Sequence, residues 1–92
     1  MPLSDYDKSQ ISDWKRRIES KKIQLFNVKD EKKRTSESFA YRIKSASTPQ
    51  QKASIRQSKI TEMDNVNRRI DALKKDIAYL REQIADLRER NS

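Results

Sequence analysis

"QSKITEMDNVNRRIDALKKDIAYLREQIADLRER", Gln57 to Arg90, carries a ladder of eight apolar residues: Met63, Val66, Ile70, Leu73, Ile77, Leu80, Ile84 and Leu87. The steps between them alternate three and four residues throughout. That alternation places all eight on one narrow stripe of an α-helix, the seam of a coiled coil. Ile70, Ile77 and Ile84 take the first position of each seven, and Leu73, Leu80 and Leu87 the fourth. This choice also favours parallel two-stranded coiled coils. A stripe this regular predicts a partner surface, and the remaining residues suggest where it lies.

Upstream, "KSASTPQQK" breaks the pattern. Thr48 offers a capping oxygen, Pro49 suits a first helical position, and Gln51 follows Thr48 by three residues, as in a capping box. Proline also drives Thr48 out of the helical region, so a preceding helix should end near Ser45 to Ser47. Ser4 and Asp7 repeat the starting device. The expectation is one module, residues 1–92, with helices over about 5–45 and 49–90 joined by a turn at about 46–48. Each helix would be about 60 Å long at 1.5 Å per residue.

The first helix has its own seven-residue ladder, Ile11, Ile18, Leu25, Lys32, Phe39 and Ala46, interleaved with Trp14, Lys21, Val28, Thr35 and Arg42. Reversal near Ser47 would set Phe39 against Ile55, Val28 against Val66, Leu25 against Ile70, Ile18 against Ile77, Trp14 against Leu80 and Ile11 against Ile84. Apolar meets apolar over most of that list. The expected fold is therefore all-α, an antiparallel helical hairpin with coiled-coil packing. Its interface would comprise Ile11, Trp14, Ile18, Leu25, Val28, Val66, Ile70, Leu73, Ile77, Leu80, Ile84 and Leu87. A two-helix seam is narrow, and isolated hairpins are marginal. Ile23, Phe26 and Tyr79 fall outside it, with Ala78 and Ala85, and suggest a second interface. A four-helix dimer is the favoured assembly, and another helical protein is the other kind of partner expected.

The distal part of the hairpin has less to bury. From Lys29 to Ser38 the first helix has no aliphatic or aromatic residue, and the facing stretch offers only Ile55, Ile60 and Met63. Lys32 would occupy a core rung, a choice that costs stability and can fix register, or its stem would lead the charge outward.

Composition narrows the chemistry. Of the 92 residues 33% are hydrophobic and 39% charged, with no glycine, cysteine or histidine. Such a chain matches long charged helices rather than sheets. It lacks disulfides, thiolate ligands and imidazole acid–base groups, and it has no glycine loop to cradle phosphate. The reading is non-enzymatic, with no cofactor and no metal. Acidic pairs such as Glu62 with Asp64 and Asp86 with Glu89 suit a solvated helix face. No apolar run approaches a membrane span, the first residues do not read as a signal peptide, and the cytosol is the expected location.

The net charge is +8. Residues 1–46 hold 12 basic and 7 acidic groups, and residues 47–92 hold 10 and 7. Lys8, Lys15, Lys22 and Lys29 recur every seventh residue as one stripe, near Arg16, Arg17 and Lys21. Two readings stand side by side. The stripe could track phosphates of nucleic acid or another polyanion, or it could flank a coiled coil and pair with acids of a neighbouring helix. The second is favoured, because Asp13, Glu19, Asp30 and Glu31 are interleaved. Trp14 lies on the apolar ladder and is read as core. Tyr6, Tyr41, Ser45, Ser47 and Thr48 carry no assigned site.

The pieces "YDKSQISDWKRRI", "IKSAST" and "QSKITEMDNVNRRIDALKKDIAYL" resemble the N-terminal coiled-coil regions found ahead of TIR (Toll/interleukin-receptor) or TIR-like domains in bacterial proteins. In the last piece the likeness is carried by Gln57, Ser58, Lys59, Asp64, Asn67, Arg68, Ile70, Lys75 and Leu80. The resemblance covers most of the chain and implies an assembly or partner-binding segment of a defence or signalling protein. The sequence as it stands ends at Ser92, ahead of any such effector domain, so no TIR catalytic residue carries over. A small secreted helical hairpin of the type VII kind is a further reading, without the Trp-x-Gly turn typical of those proteins.

Overall fold

A computed structural model describes residues 3–91. The fold is an all-α helical hairpin of two long helices, α1 (Asp5–Ser45) and α2 (Pro49–Arg90), packed against each other. Ser4 caps α1, its hydroxyl accepting a hydrogen bond from the Asp7 backbone N–H at 3.1 Å. Asp5 and Asp7 in the first turn, and Arg42 and Lys44 in the last, complement the helix dipole.

The break between the helices is built by side chains of the turn itself. Thr48 Oγ1 accepts from the Gln51 N–H at 3.1 Å, which is one half of a capping box. The other half differs from the expected form. Gln51 Oε1 accepts from Ser47, from both its N–H and its hydroxyl, each at 3.1 Å. Reaching one residue further back, Gln51 satisfies the backbone where the chain has already left α1.

The chain divides into two compact units. The first comprises Leu25 and the residues before it together with Ala72 and the residues after it, and the second is Phe26–Asp71.

In the first unit Ile11, Ile18, Ile77, Leu80 and Ile84 form one buried cluster. Leu3, Trp14, Leu25 and Leu87 pack against it, partly buried. Trp14 thus serves as core, its ring covering the cluster rather than standing free. Lys21, on a ladder position, is half-buried and reaches Asp76 of α2 at 3.2 Å. Its stem fills part of the seam while its ammonium meets a carboxylate at the edge.

In the second unit Val28, Phe39, Val66 and Ile70 are buried. Phe39 is the most enclosed of all, 2% exposed, and the Arg42 guanidinium lies 5.0 Å from its ring centroid. A cation over the ring face adds to that anchor. Lys32, Thr35, Ile55 and Met63 are half-buried. Arg69 Nη1 donates to both oxygens of Glu31 at 3.0 and 3.1 Å, tying α2 to α1. Ile60 departs from expectation: it is 63% exposed and faces water rather than the seam. The half-buried residue beside it is Lys59. Among the described residues no helix is long and apolar enough to cross a membrane.

Candidate functional site

Two features remain once the inner ladder is enclosed. The first is a set of exposed apolar side chains in each unit. In the first unit Ile23 and Tyr79 are 62% and 60% exposed, and in the second Phe26 is 72% exposed. All three lie off the seam, where their sequence spacing puts them. Ala78 is exposed as well, and Ala85 is exposed on the cationic edge. Single apolar groups on a surface are ordinary; six large ones are exposed among the described residues, these three together with Tyr6, Tyr41 and Ile60. Tyr6 and Tyr41 are also exposed, and the Tyr6 hydroxyl accepts from Gln10 Nε2 at 3.0 Å.

The second is a cationic surface and belongs to the first unit. Lys15 and Lys22 of α1 and Arg81 and Arg88 of α2 rim a groove of about 540 Å³, with Ile18, Ile84 and Ala85 beneath and Glu19 as its one acid. A smaller groove of about 320 Å³ adjoins it, sharing Lys15 and Arg88 and adding Lys8, Leu3 and Ile11. Three lysines of the sequence stripe are thus beside two arginines of the other helix. Lys29, the fourth lysine, is exposed in the second unit.

Helix geometry explains the coincidence. Seven-residue spacing keeps Lys8, Lys15 and Lys22 along one edge of the α1 ladder, each one residue past an apolar or polar rung. Arg81 and Arg88 occupy the same edge of the α2 ladder, one residue past Leu80 and Leu87. In a hairpin these like edges face each other. The lysines therefore meet arginines, not the acids expected of a neighbouring helix.

The ion pairs bear this out. Lys22 pairs only with Glu19 of its own helix, at 3.4 Å. Lys8, Lys15, Arg81 and Arg88 form no ion pair or side-chain hydrogen bond among the described residues. On the other edge of the seam Lys21 pairs with Asp76 at 3.2 Å and Arg17 with Asp13 at 3.0 Å. One edge of the seam is paired and the other is not.

The residues expected at the hairpin interface divide between the two units. Ile11, Ile18, Ile77, Leu80 and Ile84 are buried in the first, with Trp14, Leu25, Leu73 and Leu87 partly so; Val28, Val66 and Ile70 are buried in the second. Phe39 was legible from its rung on the ladder and its place opposite Ile55. The arginine half of the cationic groove was not, because it appears only when α2 is laid antiparallel beside the lysines. Compared with known proteins, the chain matches no family model, no curated protein and no solved structure.

Proposed function

We propose that the hairpin is a non-enzymatic coiled-coil module that brings protein chains together, self-associating as a four-helix dimer. The observation that carries this reading is the exposure of Ile23, Phe26 and Tyr79 on a hairpin whose inner ladder is already enclosed. Two helices bury little per residue, so helices of this polarity gain most of their stability from further packing. A second copy offers the same apolar side chains in return, as a two-fold interface requires.

The resemblance to coiled-coil regions ahead of bacterial TIR domains supports a role as the assembly or partner-binding segment of a defence or signalling protein.

Sedimentation equilibrium at two salt concentrations tests the proposal. The expected result is a dimer at both, because apolar contacts are little screened by salt. A monomer at every concentration and salt would overturn it.

A further inference from the structure

We propose that the cationic groove of the first unit binds an acidic amphipathic helix of another protein, which lies along the seam as a third helix. This names the chemistry of a second partner and uses none of Ile23, Phe26 or Tyr79, so it stands apart from self-association.

The first argument is charge. Lys8, Lys15, Lys22, Arg81 and Arg88 line adjoining grooves whose one acid, Glu19, is already paired with Lys22. Folding brings these like charges to one edge while the opposite edge is neutralised. Such an arrangement opposes folding through repulsion and favours an incoming anion. Arg88 has a structural role near the C-terminus of α2, where it complements the dipole. Arg81, Lys15 and Lys22 have no such local reason.

The second argument is shape and spacing. Residues seven apart on a helix are about 10.5 Å apart along its axis. Lys8, Lys15 and Lys22 form one such rail, and Arg81 and Arg88 form another. A helix with acids repeating every seventh residue on both sides of its apolar stripe presents the same interval to both rails. Beneath the rails Ile18 and Ile84 are buried at their bases, and the small side chain of Ala85 leaves space above them. Apolar rungs of the incoming helix fill that space.

The apolar floor decides between kinds of anion. A nucleic-acid duplex carries about one charge per 1.7 Å of axis and offers the groove phosphates and sugars, not aliphatic groups. It would leave the floor uncovered and its own charge mostly unmatched. An anionic bilayer is flat, whereas the charged rails flank a concavity. A second copy of this chain would bring its own net charge of +8 against the groove.

The test uses the full chain and a labelled synthetic peptide of about 21 residues, three heptads, with leucine at the first and fourth places and glutamate flanking them. Fluorescence anisotropy should show binding that weakens at least tenfold when the glutamates are glutamine. Lys15→Glu with Arg88→Glu should abolish binding of the acidic peptide and create binding of its lysine counterpart. This reversal should leave sedimentation of the protein alone unchanged, which separates the groove from the dimer. Ala85→Trp should weaken binding at least tenfold with the rails intact, while circular dichroism confirms an undisturbed helix content. The proposal is overturned if the acidic peptide does not bind or if charge reversal leaves its affinity unchanged. Tighter binding of a duplex or of phosphatidylserine vesicles than of the peptide also overturns it.

Discussion

Lys21 of α1 lies 3.2 Å from Asp76 of α2, whereas Lys22, the next residue, finds no acid on α2 and pairs with Glu19 at 3.4 Å. Adjacent residues of a helix differ in direction by about 100°, so these two lysines fall on opposite edges of the seam. One edge holds opposite charges together and the other gathers like charges. That asymmetry gives the first unit a neutral side and a receptive one.

The Lys21–Asp76 pair should contribute little to stability despite crossing between helices. Both side chains are substantially exposed, and such pairs are worth about 0.2–1 kcal/mol. A double-mutant cycle with Lys21→Ala and Asp76→Ala, read by urea denaturation, should give a coupling in that range that shrinks in high salt. A coupling of several kcal/mol would show the pair to be far more enclosed.

Burial separates isoleucines that composition cannot. Ile77→Ala removes part of the buried cluster and should cost about 2–5 kcal/mol. Ile60→Ala alters a side chain that faces water and should stay within about 0.5 kcal/mol of the parent. Urea midpoints at one protein concentration compare the two directly. Equal losses would mean that Ile60 is covered in solution.

Much of this was legible in the residues, for reasons that also mark where legibility ended. Thr48, Pro49 and Gln51 placed the break because each has a specific backbone role. Ile11, Ile18, Val66 and Ile77 announced themselves as core by spacing alone. Ile60 misled because it is apolar and near the ladder. Stepping back from Val66 to Met63 takes three residues, so the alternation then requires four and reaches Lys59, not Ile60. Lys59 is indeed half-buried, and geometry outweighed side-chain chemistry there. The cationic edge is not legible in the lysines of one helix, because it depends on what the other helix sets opposite them.

Within the second unit, the stretch from Lys29 to Ser38 has no apolar anchor until Phe39. Its amides should exchange with solvent faster than those around Ile18 and Ile77. Lys32, half-buried on a rung, should be improved by Lys32→Leu, which should raise stability by about 1 kcal/mol and slow exchange nearby. Uniform protection along both helices in the parent would contradict this and point to a partner covering the region.

Thr48→Ala removes the acceptor for the Gln51 N–H and should cost about 1 kcal/mol. Gln51→Ala frees both the Ser47 N–H and its hydroxyl, which are exposed and can turn to water, so its cost should be smaller. Thermal melts of the two variants give the order, and a larger loss for Gln51→Ala would reverse the roles assigned to the two residues.

The most direct measurement is sedimentation equilibrium of the parent beside the double variant Ile23→Gln with Phe26→Lys, each over a wide dilution series. If self-association uses these exposed groups, the parent sediments as a dimer and its melting temperature falls on dilution, because folding is coupled to association. The variant then sediments as a folded monomer with a melting temperature independent of concentration. Identical sedimentation and identical stability of the two proteins would contradict the account.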